Sequence, residues 1–196
     1  MRRFVAAILL AGVLAAKDDV ALRLDGAASL FEAAKHGIPA AVLEQARCVA
    51  LIPGLKKTGL VAAGSSGRGF AVCRQGQGWS APAAMQVAGK SLGLQAGRSE
   101  RDVVLLVTTD AGVKHLVSNK FEVPARSPVA EAVCYARAKD SFEEVSLAGA
   151  LVSPDEETNG RLYGADMIRG TKKILTGTVK APAAAGRLEA ALKGGG

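Results

Sequence analysis

Aromatic side chains are scarce in this sequence. Five Phe, two Tyr and one Trp make up 4% of 196 residues. A core must therefore be built from Ala, Val and Leu, small and branched side chains that suit tightly packed sheets. Histidine is scarcer still. His36 and His115 are isolated, and neither has a second ligand at metal spacing, which excludes a histidine-based metal centre. The three cysteines, Cys48, Cys73 and Cys134, are too far apart for a CxxC redox or zinc motif. Either one pair bridges and leaves a free thiol, or all three are buried thiols in apolar strand-like runs. Carboxylates are few in the strand-rich region, and none pair up for acid–base work. Asp155, Glu156 and Glu157 stand at a helix start, where they complement the helix dipole. Gly89, Lys90 and Ser91 look like the end of a phosphate-binding loop, but Ala84 stands where its first glycine is needed. The glycines at 64 and 67 lack the spacing of a nucleophile elbow. No catalytic set and no cofactor motif remain, so the expectation is a binding protein and not an enzyme.

What is present begins with an N-terminal leader. Arg2 and Arg3 precede an apolar run over residues 4–16 that is too short to span a bilayer comfortably. Val13, Leu14 and Ala15 give the small-x-small pattern for cleavage after Ala15, with Ala16 as an alternative. Lys17, Asp18 and Asp19 follow at once. This reads as a signal peptide at 1–16 of a protein exported from a bacterial cell, periplasmic or secreted. No cysteine follows the small residues, so no lipid anchor is expected. Removing the leader lowers the net charge of +7 by two. A modestly basic exported protein points to an anionic membrane surface and not to nucleic acid.

The remaining length suits one domain, at 17–176, with a C-terminal tail at 177–196 that is a short helix or disordered. Residues 18–35 read as a helix with Val20, Leu24, Ala27 or Ala28, Phe31 and Ala34 on one face, packing on the core. Gly37 ends it, and Pro39 opens a second short helix through Gln45. Short apolar strands are expected at 48–52, 59–63, 68–74, 83–87, 91–96, 103–108 and 129–138. A last one alternates Val145, Leu147 and Leu151. Gly64 to Gly67 reads as a turn. Asp110 is the expected cap of a short helix, and Ser153 to Glu156 a capping box with Pro154 at the first helical position. The fold class is α+β: a strongly curved antiparallel sheet, or partly closed barrel, with flanking helices.

Positive charge beside Gly-rich turns is the one chemical feature that stands out. Lys56 and Lys57 follow Pro53-Gly54, and Arg68 and Arg74 flank one strand. Such cations can seat a phosphate headgroup. Trp79 can sit at a membrane interface or fill the core.

The order of segments resembles the SYLF domain family. The matching stretches are CVALIPGLKK at 48–57, GSSGRG at 64–69, GWSAP at 78–82, SLGLQ at 91–95, DVVLLV at 102–107, SLAG at 146–149 and NGRLYG at 159–164. The resemblance implies lipid binding. Eukaryotic members bind phosphoinositides and work at membranes with actin machinery, often beside an SH3 domain. Bacterial members are commonly exported. Lys56 and Lys57 match the family's basic pair after Pro-Gly. Two departures stand out: the lipobox cysteine of lipoprotein members is missing, and the stretch between Phe121 and Tyr135 is shorter than the family's Gly/Ala-rich one. The reading is an envelope domain that binds an anionic phospholipid or phosphoinositide-like headgroup. The alternative is a protein-interaction or structural module of the envelope.

Overall fold

The computed structural model describes residues 2–58, 64–90, 99–118, 120–124, 131–139 and 141–194, with side chains described from Asp19 onward except those of Lys57, Thr58, Lys90 and Ser99. The strands expected at 59–63 and 91–96 lie outside the described residues, as do residues 125–130 of the shortened segment after Phe121. The helix α1 (Arg2–Gly37) and the short α2 (Ala40–Gln45) lead into β1 (Cys48–Thr58), β2 (Gly64–Gln75), β3 (Gly78–Trp79), β4 (Ala83–Lys90) and β5 (Ser99–Val107). Then come α3 (Asp110–Leu116), β6 (Phe121–Glu122), β7 (Ala132–Ala138), β8 (Ser141–Val145), β9 (Leu151–Pro154) and α4 (Glu156–Tyr163), and the chain finishes with α5 (Thr171–Thr176) and α6 (Gly186–Lys193). The strands form one curled antiparallel sheet in the order β6-β9-β4-β2-β1-β5-β7-β8, with the short β3 on β2. The α+β class expected from sequence is the one observed.

Alternation along the strands sends side chains to two separate cores. Ala50, Ile52, Ala71, Met85, Leu105 and Ala136 point to one face, which α5 covers with Ile174 and Leu175. Val49, Leu51, Phe70, Val72, Val104 and Leu106 point to the other. There α1 lays down Val20, Leu24, Ala27, Leu30, Phe31 and Ala34, the stripe read from its 3.6-residue period.

Across β1 and β2 the residues Cys48 and Cys73 stand opposite one another and are joined by a disulfide, leaving Cys134 as a buried thiol. This resolves the alternative that sequence left open.

Several local expectations are corrected. Gly64 to Gly67 is not a turn but the start of β2. The glycines answer to packing: a β-carbon on Gly69 would lie 1.9 Å from the Leu51 carbonyl oxygen, and one on Gly67 would collide with Ile52 and Leu55. They permit close passage of β1. That strand runs on past Pro53-Gly54 to Thr58, because it absorbs one extra residue as a β-bulge. Leu51 pairs with Phe70 but Lys56 with Ser66, and on the other side Ile52 pairs with Val103 but Leu55 with Arg101. Gly54 takes a positive φ of 64°, and its freed amide donates to Asp102 Oδ1 at 3.0 Å.

Thr109, not Asp110, caps α3 by accepting from the Gly112 amide. Asp155, not Ser153, caps α4, while Ser153 and Pro154 end β9. The run from Val145 to Leu151 is two strands split by a turn at Gly149, whose φ is 78°. For the C-terminal segment, expected as a short helix or disordered, the helix is the form observed. Leu188, Ala191 and Leu192 of α6 are buried against the α1 core, and Arg187 bridges Asp25 and Glu32 of α1 at 2.7 and 2.8 Å. Among the described residues, no helix is long and apolar enough to cross a membrane.

Candidate functional site

The bulge in β1 creates the site. Before it, even-numbered residues of β1 face the α5 core and odd-numbered ones face α1. The extra residue reverses that parity, so Leu55 is buried in the α5 core and Lys56 emerges on the α1 side. Its ladder partner Ser66 shares a face with Arg68, and Arg68 pairs with Gln86 of β4. All four of these residues line a pocket of about 540 Å³, with Gly54 and Gly67 in its wall. Glu100, opposite Lys56 on β5, closes another side.

The helix α1 contributes the third cation, Arg23. Gly26, three residues on, faces Pro53 of β1, which a β-carbon there would meet in ordinary contact at 3.5 Å. Arg23 Nη2 donates to Thr158 Oγ1 at 3.3 Å. Its Nε lies 3.3 Å from Asp19 and its Nη1 3.6 Å from Asp155 Oδ2, yet both nitrogens are buried without a hydrogen-bond partner. Asp155, whose side chain is only 7% exposed, is also 3.7 Å from Arg68 Nε. Two guanidiniums from different elements thus converge on one carboxylate oxygen. That carboxylate is fixed from behind: Oδ1 accepts from the Thr158 amide at 3.1 Å and Oδ2 from the Thr158 hydroxyl at 2.8 Å. Arg68 is 57% exposed and sits where this pocket meets a second one of about 460 Å³, lined by Lys120, Glu156 and Glu157. Fork-shaped donors with unfilled N–H groups, flanked by an exposed lysine, suit recognition of a phosphate or carboxylate oxyanion.

Of the residues expected from sequence, Lys56 and Arg68 come together. Lys57 pairs with Ser65 and Ser99 in the ladder, and its side chain lies outside the described part. Arg74 does not join them. It lies six residues further along β2, roughly 20 Å away at strand rise, with its guanidinium 4.1 Å from the centre of the Trp79 ring. Trp79 itself packs at the margin of the α1 core, edge-on to Phe31. Sequence reasoning missed Arg23 and the second role of Asp155. The signal for Arg23 was present: it is the one Lys or Arg between Lys17 and Lys35, three residues after Val20 and four before Ala27, beside the buried stripe.

Three comparisons bear on identity. A family model described as Ysc84, Las17-binding protein actin regulator, matches residues 123–194, which include Asp155, Asn159 and both C-terminal helices. Protein YSC84 of Saccharomyces cerevisiae is 30% identical over 170 residues, covering 76% of this chain and 36% of the yeast protein. LAS seventeen-binding protein 3 of the same yeast is 29% identical over 169 residues, covering 75% of this chain and 36% of that protein. SH3 domain-containing YSC84-like protein 1 of Homo sapiens is 29% identical over 169 residues, with 76% and 48% covered. The chain therefore spans between a third and a half of these relatives. No solved structure matches it. On the strength of the family match and the relatives' similarity along most of its length, the chain belongs to the SYLF, or Ysc84, domain family.

Proposed function

We propose that this chain is a non-catalytic recognition module that takes an anionic lipid headgroup in the pocket formed by Arg23, Lys56 and Arg68. The observation that carries the reading is the convergence of these three cations, from α1, β1 and β2, on one concave site. Lys56 makes no ion pair among the described residues, so its charge is available to a ligand. Lys57 follows it in the sequence. The proposed setting is the bacterial envelope, after removal of residues 1–16. The disulfide between adjacent strands supports an oxidising compartment.

Co-sedimentation with neutral and anionic vesicles tests the proposal. Binding is expected to anionic vesicles alone and to weaken with salt, since each surface cation contributes about 1 kcal/mol that is screened within a Debye length of about 10 Å at 0.1 M. A folded Lys56→Glu/Lys57→Glu variant should lose it. Affinity that does not change between low and high salt would rule out a headgroup site.

A protein-interaction role is the second reading, and the names favour it, since the matching family and one relative are Las17-binding by description. An edge is on offer for it: β8 pairs with β7 on one side only among the described residues. Absence of vesicle binding by a folded protein, with retention of a specific envelope protein, would put this reading first.

A further inference from the structure

Asp155 stands at the site with a charge of the wrong sign for an anion-binding pocket. Capping α4 does not require it to be there. An asparagine caps a helix as well as an aspartate, and Glu156 and Glu157 already supply negative charge to the first turn. What the charge does is hold two arginines that would otherwise repel. Arg23 and Arg68 approach the same Oδ2 at 3.6 and 3.7 Å, within ion-pair range but beyond a charge-assisted hydrogen bond. The carboxylate cannot move closer, because both its oxygens are committed to Thr158. The arginines are therefore neutralised without being saturated, and Arg23 keeps two buried nitrogens with no hydrogen bond.

We propose that Asp155 is the internal counter-ion of the site, a specificity-determining residue that a bound phosphate must outcompete at Arg23 and Arg68. The inference rests on the headgroup reading above and adds a selection rule to it. A singly charged phosphodiester offers the two guanidiniums no more charge than the carboxylate already does. A phosphate monoester carries between 1.5 and 2 negative charges at neutral pH, by rough reckoning, and three acceptor oxygens. It gains where the diester does not. Arg68, half exposed and hinged only by its own side chain, is the group that can turn from the carboxylate to the ligand.

The experiment compares vesicles containing phosphatidic acid, a monoester, with vesicles containing phosphatidylglycerol, a diester, at lipid fractions that give equal surface potential. The wild-type chain is expected to prefer phosphatidic acid. Asp155→Asn should bind both lipids more tightly, phosphatidylglycerol by about tenfold and the more highly charged phosphatidic acid by at least as much, because neither then has a carboxylate to displace. A merely structural Asp155 would leave both affinities unchanged or weaken them. Soluble glycerol phosphate as competitor separates recognition of the phosphate group from recognition of a membrane: competition is expected against both lipids. Since Asp155→Asn leaves Arg23 with Asp19 as its one ion-pair partner among the described residues, the same comparison is made between Arg23→Gln and Arg23→Gln/Asp155→Asn, where the second change should again raise phosphatidylglycerol binding. Equal binding of both lipids by the wild type, or affinities that do not rise in folded Asp155→Asn, overturns the inference while leaving the headgroup reading intact. Binding of neither lipid by any variant removes both.

Discussion

Asn159 has no accessible surface, and its side chain stands in for a piece of strand. Its Oδ1 accepts from the Ala84 amide at 2.8 Å, and its Nδ2 donates to the Ala84 carbonyl at 3.1 Å and to Thr171 Oγ1 at 3.3 Å. The β4–β9 ladder ends one residue earlier, at the pairing of Met85 with Pro154, so the amide side chain continues it and ties α4 and α5 to the sheet. Asn159→Asp keeps the acceptor and loses both donors; Asn159→Ala loses all three bonds. Leaving a buried backbone group unpaired costs about 1–3 kcal/mol, so Asn159→Ala should lower unfolding free energy by on the order of 3 kcal/mol in urea titration. A loss below about 1 kcal/mol would mean that water replaces the side chain. The same segment shows why Asp155 was only half legible. A Ser-Pro-Asp-Glu stretch before a helix announces a cap, and the capping carboxylate is indeed within it. That Arg23 and Arg68 also converge on that carboxylate depends on contacts more than 80 residues apart in sequence, which no local pattern contains.

At the scale of elements, α6 is the part whose importance was hardest to read. Its Ala-rich sequence resembles a fraying terminus, and the two leucines at 188 and 192, four apart, are a weak periodic signal in so short a helix. Packing decides the matter: those leucines complete the core over α1, and Lys35 reaches across to the Ala191 carbonyl at 3.1 Å. Burial of each leucine is worth about 1.5–3 kcal/mol. Truncation after Pro182 should therefore cost on the order of 3 kcal/mol or more and expose the apolar stripe of α1, seen as a lower melting temperature with increased binding of a hydrophobic dye. An unchanged melting temperature would show that α6 rides on the fold without supporting it. By contrast, α1, β4, β5 and β7 were legible from their periodicities, and the six-residue α2 from the proline that opens it. The strands β8 and β9 were fused into one in the sequence reading, since Val145, Leu147 and Leu151 keep even spacing through a turn that only the positive φ of Gly149 reveals.

The whole molecule is a sheet with a core on each side, and its response to alkaline pH follows from what those cores hold. Burial pushes the Cys134 thiol up to about 12 from an ordinary value near 9, with Glu144 adding to the effect and a backbone hydrogen bond opposing it. Burial likewise raises Tyr163, whose hydroxyl donates to the Pro82 carbonyl at 2.6 Å, and to a lesser extent Tyr135. These groups stay protonated in the folded chain while the unfolded chain ionises. The stabilisation is fully present below about pH 9 and is lost as pH rises towards 12, at roughly 1.4 kcal/mol per pH unit for each such group. Unfolding free energy measured from pH 8 to 11 should fall accordingly, and Cys134→Ala should flatten the slope by one group. A slope unaltered by that substitution would mean that Cys134 meets solvent before the chain unfolds. On the same grounds Cys134 should resist thiol reagents until denaturant is added.

The bulge at Pro53-Gly54 has a consequence in terms of length variation. Side-chain parity on either side of it differs by one residue, and that offset alone places Leu55 inside and Lys56 outside. Deleting Pro53 or Gly54 would restore a regular ladder with Leu55 still opposite Arg101 and Lys56 still opposite Ser66, so both side chains would keep their sides and the loss would be the bulge itself, with the bond from the Gly54 amide to Asp102. One further residue beyond those the bulge absorbs would instead send a lysine into the α5 core and a leucine to the pocket. Among descendants of this sequence, single-residue gaps are therefore the length changes to look for there, and single-residue insertions the ones that should be missing.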